Sequence, residues 1–569
     1  MNSALPKGAE LLIDDLRIGY RSGTQVRMAL DGVSLRVAPG EVLGLVGESG
    51  SGKSTLAYSV LRYLGRRARI ESGTIRIDGM DVQGASPEQL RTIRRSVVSM
   101  VYQDPAASLN PTMSLGRQLL ESIRLRSQAS DEENIRTAHE LLTRVNLADP
   151  PAMMKRFPHQ VSGGQKQRIL IAMAFATRPR LMICDEPTTA LDVTTAAQVL
   201  DLLRELMVET GVSVLYISHD LTTIARIADR VAVLDHGKIV ETGGTATLLK
   251  APAHPYTRKL LSSVVNSPRQ TVRRRVLFDD DAVVEGVAST ASDRPRPVLP
   301  ADGPALLEVR QLGVTYGRER VLDRLRGKPP VLLKAVDDVS LSIRPGETLG
   351  LVGESGCGKS TLSRALAGLV SFNGEIALEG RAYGSVQALD QHYRDAIQIV
   401  FQHPDAALNP KHSIGQILAR PAARRDGLAA KALRVRVHEL LDMVRLPYHY
   451  AQRLPHELSG GEKQRVCIAR AFAARPSLVI CDEITSALDV TIQGAILNLL
   501  ADLQDESGMS YLFISHDLHV VRHVADRIAV MYLGQFVETW ETLGNRAPTH
   551  PYTTALFRAM PMLEQANSN

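Results

Sequence analysis

The stretch "LGLVGESGSGKSTL", Leu43–Leu56, decides the fold, and it occurs twice: "LGLVGESGCGKSTL" runs from Leu349 to Leu362. Each begins as a near-continuous apolar run of strand length, breaks at a glycine and continues into a helix-like segment such as "TLAYSVLRYL". Between strand and helix the pattern GxxxxGK[ST] is filled by Gly47–Ser54 and again by Gly353–Ser360. Glycines let backbone N–H groups wrap a phosphate chain. The lysine reaches its outer oxygens, and the serine hydroxyl suits a magnesium ion. One such match arises by accident often enough to need context. Two aligned copies in the same strand–loop–helix setting leave a purely structural explanation very little room.

Working outward, the second half of the chain lies over the first. "QDPAASLNP" from Gln103 returns as "QHPDAALNP" from Gln402, and "SGGQKQR" from Ser162 as "SGGEKQR" from Ser459. "ICDEPTTALDVT" from Ile183 returns as "ICDEITSALDVT" from Ile480, and "YISHDL" from Tyr216 as "FISHDL" from Phe513. Ser459 follows Ser162 by 297 residues, and Asp482 and His516 follow Asp185 and His219 by the same interval. Even "HPYTRKLL", His254–Leu261, recurs as "HPYTTALF", His550–Phe557. The chain of 569 residues is too long for one hydrophobic core. We therefore expect a first domain over residues 1–265 and a second over 305–569. The intervening 266–304 is rich in Pro, Ser and Ala, shows no helical or strand period, and reads as a flexible linker. Within each copy, buried-strand runs such as "LMICDE" and "SVLYIS" alternate with amphipathic stretches such as "EENIRTAHELLTRVNLA" and "TTAAQVLDLLRELMVETG". The α/β class with a mainly parallel sheet follows.

Composition narrows the possible partners. The chain is 44% hydrophobic and 22% charged, which is ordinary for a soluble globular protein. No apolar run reaches the roughly 18 residues of a membrane span, and the N-terminal stretch shows no secretory h-region. A net charge of +6, from 67 basic and 61 acidic residues, fits a mixed solvated surface and not a nucleic-acid footprint. Cys184, Cys357, Cys467 and Cys481 lack CxxC spacing, so neither a disulfide framework nor a zinc site is expected, and a reducing cytosol fits.

The second chemical element is the acidic pair closing "LMICDE". Asp185 ends a buried strand and is placed to hold Mg²⁺, and Glu186 sits just beyond it, where a carboxylate orients water for in-line attack. Asp482 and Glu483 repeat the pair. Alone, Asp-Glu after a strand is usually a solvated strand end. Following a phosphate loop in both copies, it reads as catalytic.

"SGGQKQR" and "SGGEKQR" resemble the signature of ATP-binding cassette (ABC) ATPases, and the flanking Gln103/Gln402, "ALD" and "SHD" segments complete that pattern in family order. The resemblance covers nearly all of the chain outside the linker. It implies two tandem cassettes, each with a mainly parallel sheet core, a helical subdomain and an N-terminal antiparallel β portion. It implies ATP and Mg²⁺ as ligands. By resemblance, nucleotide contacts come from Gly47, Ser49, Gly50, Ser51, Gly52, Lys53, Ser54 and Thr55 in the first copy. In the second they come from Gly353, Ser355, Gly356, Cys357, Gly358, Lys359, Ser360 and Thr361. Tyr20 and Tyr316 would stack on adenine, although they precede their loops by 27 and 37 residues. The extra segment "GRERVLDRLRGKPP", Gly317–Pro330, accounts for that difference. Metal ligation falls to Ser54, Gln103 and Asp185, and to Ser360, Gln402 and Asp482. Glu186, His219 and Gln103, with Glu483, His516 and Gln402, form the catalytic sets. In this family a signature caps the nucleotide of the opposite copy. Ser459, Gly460 and Gly461 would then complete the site of Lys53, and Ser162, Gly163 and Gly164 that of Lys359, making the fused repeat its own dimer. Neither copy lacks its glutamate or its signature serine, so two hydrolytic sites are expected.

Two jobs compete for such an ATPase: driving a membrane importer, or acting as a soluble paired cassette on ribosomes or DNA. The Q-loop segments "QDPAASLNP" and "QHPDAALNP" and the doubled "HPYT" resemble ATPase subunits of the dipeptide, oligopeptide and nickel importer family. Ribosome-acting relatives tend to read "TNHLD" where this chain reads "TTALD" and "TSALD". The resemblance therefore implies two membrane-spanning permease subunits, an extracytoplasmic solute-binding protein, and a peripheral position on the cytoplasmic face of the bacterial inner membrane. It implies no nucleic-acid partner. Some relatives carry a cysteine-rich tail able to hold an iron–sulfur cluster. No cysteine follows Cys481, and no such cluster is expected. Pro255 and Pro551 would open a terminal helix, and Tyr256 and Tyr552 would anchor it.

Overall fold

A computed structural model describes residues 8–22, 25–48, 50–189, 191–263, 303–317, 332–485, 490–542 and 548–558. Most of the expected linker, most of the basic insertion and Ser49 lie outside the described residues. The described residues form two compact units, 8–263 and 303–558.

Each unit is built on a six-stranded sheet. In the first the order is Lys238–Gly244, Arg230–Asp235, Val42–Val46, Ser213–Ser218, Leu181–Asp185, Val98–Val101. All pairs are parallel except the one at the Lys238–Gly244 edge. The second unit repeats this with Ile397–Val400, Leu478–Asp482, Ser510–Ile514, Thr348–Val352, Arg527–Tyr532 and the antiparallel edge Gln535–Glu541. The inner strands Leu181–Asp185 and Leu478–Asp482 are buried at every residue, because helices cover both faces of a parallel sheet. The phosphate-loop strand is central in both copies, so its C-terminal end opens beside the ends of its neighbours.

A second, antiparallel sheet of four strands packs in each unit, in the order Gln25–Val37, Leu11–Ser22, Ala68–Ile77, Met80–Asp81 in the first. Leu11, Ile13, Leu16 and Ile18 point to the core. Strict alternation would send Leu16 outward. Asp15 absorbs the mismatch in a left-handed conformation (φ 42), and Gly73 opposite (φ 94) has no room for a Cβ against the Asp15 carbonyl. The helical subdomain is also present, with Leu115–Arg124, Asp131–Arg144, Pro150–Lys155 and Gly163–Ala176 in the first unit. The helix expected in "EENIRTAHELLTRVNLA" starts with a capping box between Ser130 and Glu133. The one in "TTAAQVLDLLRELMVETG" ends at Gly211 (φ 63). Both expectations of fold class and subdomain layout are met.

The doubled tetrad opens a short helix in each unit, Pro255–Ser263 and Pro551–Arg558. Its letters divide the labour. The imidazole Nδ1 of His254 accepts the Tyr256 N–H at 3.2 Å, and His550 does the same for Tyr552 at 3.2 Å, so the histidine satisfies a free donor of the first turn. Proline takes the first helical position, where its missing N–H costs nothing. Thr257 and Thr553 are fully buried. A carboxylate on the edge strand holds the approach. Glu241 accepts the N–H groups of Ala253 and His254, and Glu538 accepts those of Thr549 and His550 as well as the Thr549 hydroxyl. Burial alone would raise the Glu538 pKa, but these donors outweigh it and hold the carboxyl at about 2. The stability it contributes is thus complete above the ordinary glutamate range and is lost as pH falls towards 2. Glu538→Ala should speed hydrogen exchange in Pro551–Arg558 near neutral pH. Its difference from the unaltered chain should shrink below about pH 4, and a pH-independent difference would refute this account.

Candidate functional site

The site starts from the loop glycines. Gly52 and Gly358, with φ of 110 and 114, precede the helices Lys53–Val60 and Lys359–Leu366 in a backbone state closed to other residues. A helix start of this kind, reached through a glycine turn, is the backbone arrangement suited to an anion. Lys53 is almost wholly buried, and its Nζ donates to the carbonyls of Gly47 (2.7 Å) and Glu48 (2.8 Å). Lys359 donates to Gly353 and Glu354, both at 2.7 Å, and lies 3.7 Å from the Cys357 sulfur. The ammonium is thereby folded back over its own loop. Tyr20 and Tyr316 stay well exposed, free to meet a flat ring, and the Tyr20 hydroxyl lies 3.3 Å from Thr55 Oγ1.

At the end of the strand two places along the sheet, Ser54 Oγ donates to Asp185 (3.4 Å) and Ser360 Oγ to Asp482 (3.2 Å). Burial raises the pKa of both aspartates, more than these bonds lower it. Among the described residues no group of three or more His, Cys, Asp or Glu is arranged to hold a metal by itself. A hydroxyl beside a desolvated carboxylate nevertheless fits a hard cation that takes its remaining ligands from phosphate and water.

Glu186 and Glu483 adopt left-handed backbone (φ 47 and 50), a strained state for a residue with a side chain, which turns the carboxylate out of the strand line. Gln103 Nε2 donates to Glu186 at 2.8 Å and Gln402 Nε2 to Glu483 at 2.9 Å. His219 Nδ1 stands 3.1 Å from Glu186, and His516 Nδ1 3.7 Å from Glu483. For Glu186, burial pushes its pKa up, but the bond and charge of His219 prevail and the carboxyl titrates low. For Glu483 the His516 bond is the leading cause of the same lowering. Both histidines are raised in return: burial works against their charge, and the glutamate overcomes it. The loop lysine, aspartate, glutamate, glutamine and histidine thus gather at one edge of each sheet, as the motifs predict.

The signature residues do something different within their own units. Ser162 and Ser459 cap the helices Gly163–Ala176 and Gly460–Phe472 through boxes with Gln165 and Glu462. Gly164 and Gly461 are needed for packing, since a Cβ there would strike Thr195 or Ile492. A Cβ on Gly460 would meet nothing. Three contacts escaped the motif reading. Thr189 Oγ1 donates to Glu186 (3.1 Å), and Ser363 Oγ gives Asp482 a second hydroxyl bond (2.9 Å). The third is the tetrad tyrosine: the Glu48 N–H donates to the Tyr256 hydroxyl (3.1 Å) and the Glu354 N–H to that of Tyr552 (2.9 Å). Only the repetition of the tetrad hinted at this, and spacing of some 200 residues gave no direction to it.

The ABC transporter family model matches residues 30–189 and 336–486. The chain belongs to the ABC transporter family. It carries twice a match to the oligopeptide/dipeptide transporter C-terminal region, at residues 240–277 and 541–569, where the tetrads lie. Glutathione import ATP-binding protein GsiA of Escherichia coli (strain K12) and of Shigella boydii serotype 4 (strain Sb227) are each 41% identical, covering 98% of this chain and 91% of theirs. The dimeric ADP- and Pi-bound cassette MJ0796 matches at 30% identity over 41% of this chain and 98% of that one, with a TM-score of 0.38. As a tandem-cassette ABC protein the chain binds ATP and is an ATPase. No described helix is long and apolar enough to cross a membrane.

Because each glutamate is what raises its histidine, exchanging Glu186 and Glu483 for glutamine should move the His219 and His516 titrations to lower pH, as followed by imidazole NMR shifts. Unmoved titrations would break the pairing.

Proposed function

We propose that this chain is the energy-coupling subunit of a bacterial importer for short peptides of the glutathione class. The observation that carries this reading is the twofold completeness of the machinery. Lysine, aspartate, glutamate, glutamine, histidine and signature are intact in both cassettes, and each ends in the HPYT extension. Two permease subunits and an extracytoplasmic solute-binding protein are its partners. The chain works on the cytoplasmic face of the membrane.

In this reading nucleotide is gripped between one cassette's phosphate loop and the other's signature. Lys53 works with Ser459, Gly460 and Gly461, and Lys359 with Ser162, Gly163 and Gly164. Gly460 is compatible with it: a Cβ there would meet nothing in its own unit, so that face of the signature is open to a ligand. Ser54, Asp185 and Gln103, with Ser360, Asp482 and Gln402, would hold Mg²⁺. Bound there, the ion offsets charge on the phosphates and restores what burial takes from each aspartate. Glu186 and Glu483, kept ionised by their histidines, orient the attacking water and accept its proton. His219 and His516 lie beside them, towards the γ-phosphate.

Glu186→Gln with Glu483→Gln should leave ATP binding intact and cut turnover by about 100-fold or more; hydrolysis at the normal rate would remove the base assignment. Lys53→Ala with Lys359→Ala should weaken nucleotide binding by about 10- to 100-fold, to a level that titration still resolves. For the cargo, the chain in proteoliposomes with its permeases and binding protein should hydrolyse ATP faster when glutathione is supplied outside, and indifference to glutathione and related short peptides would exclude this substrate class.

A further inference from the structure

The tetrad tyrosines do more than seat a helix. In each unit one backbone amide of the phosphate loop is held at both ends. The carbonyl of Gly47 accepts Lys53 Nζ at 2.7 Å, and the N–H of that same amide, belonging to Glu48, donates to the Tyr256 hydroxyl at 3.1 Å. The second unit repeats it with Gly353, Lys359, Glu354 and Tyr552, at 2.7 and 2.9 Å. An amide that donates through its nitrogen is a stronger acceptor at its oxygen, because linked hydrogen bonds polarise one another. The tyrosine therefore strengthens the seat of the lysine and fixes the plane of the peptide that carries it.

We propose that Tyr256 and Tyr552 are positioning residues for nucleotide binding, acting on Lys53 and Lys359 through the Gly47–Glu48 and Gly353–Glu354 amides.

Three further observations carry the argument. The tyrosines are anchored independently of the loop: their own N–H groups bond to His254 and His550, and the segments before them bond to Glu241 and Glu538. Each hydroxyl thus comes from a fixed body. The loop residue itself has little slack, since Gly47 and Gly353 press on the Leu234 and Met531 carbonyls so closely that a Cβ would stand 2.2 Å from either oxygen. In the second unit the Tyr552 ring also packs on Tyr532, the last residue of the strand ending at that contact, with ring centroids 4.4 Å apart. A sequence element some 200 residues downstream thereby sets a peptide plane at the nucleotide.

The proposal rests on the nucleotide-binding reading of both loops, which the unaltered full-length chain tests first; failure to bind MgATP or MgADP there overturns both. Tyr256→Phe with Tyr552→Phe keeps the rings and removes the hydroxyls that accept from the loop. Equilibrium binding should weaken by about three- to tenfold, the worth of one such bond, while kcat at saturating ATP stays within about twofold. The decisive arm repeats the pair in a Lys53→Ala, Lys359→Ala chain, where it should change affinity no further, because the route through the lysine is gone. Unchanged affinity in the first arm, or a full additional loss in the second, would overturn the assignment and leave the tyrosines as anchors of the extension alone. Should the phenylalanine variants not fold, hydrogen exchange of the unaltered chain decides. The Glu48 and Glu354 amides should be protected, and exchange at the rate of open loop amides would refute the engagement.

Discussion

A loop that binds phosphate through backbone N–H groups has to keep them out of secondary structure, and that requirement governs each half of this chain. Such a loop has no ladder to fix it. Here the fixing comes from outside: a buried lysine bonds to its first two carbonyls, a strand-end carbonyl blocks any bulk at Gly47 or Gly353, and a tyrosine hydroxyl accepts from its second residue. The central position of the loop strand then brings aspartate, glutamate and histidine from neighbouring strand ends to the same edge.

The electrostatics follow the same economy. Burial raises Asp185 and Asp482 by more than their serine hydroxyls offset, whereas Glu186 and Glu483 are bracketed by an amide and an imidazole. Two adjacent carboxylates are thereby given opposite characters: one poised to gain from a cation, the other held ionised in advance. In an unbroken strand two adjacent residues would point to opposite faces; the left-handed backbone of Glu186 and Glu483 turns the second carboxylate off that line.

Much of this was legible beforehand. Short motifs carry local geometry, so the loop, the acidic pair, the glutamine and the histidine could be read from residues that sit within a turn or two of the chemistry. Helix limits are encoded locally as well, by Ser130 with Glu133 and by Gly211, although the reading of the motifs did not use them. What could not be read depends on three-dimensional approach. The partner of Tyr256 lies across the fold, and no periodicity encodes a contact between residues 208 apart. The bulge at Asp15 was hidden for a related reason: it matters only because Gly73 on another strand leaves room for it.

The halves are not interchangeable in one respect. Asp482 is held by hydroxyls from both Ser360 and Ser363, while the counterpart of the latter in the first half is Ala57, which has no hydroxyl to offer Asp185. A cation arriving at Asp482 therefore competes with two hydroxyl donors, whereas at Asp185 it competes with the one from Ser54, so the two halves of the duplication should differ in the metal concentration at which they fill.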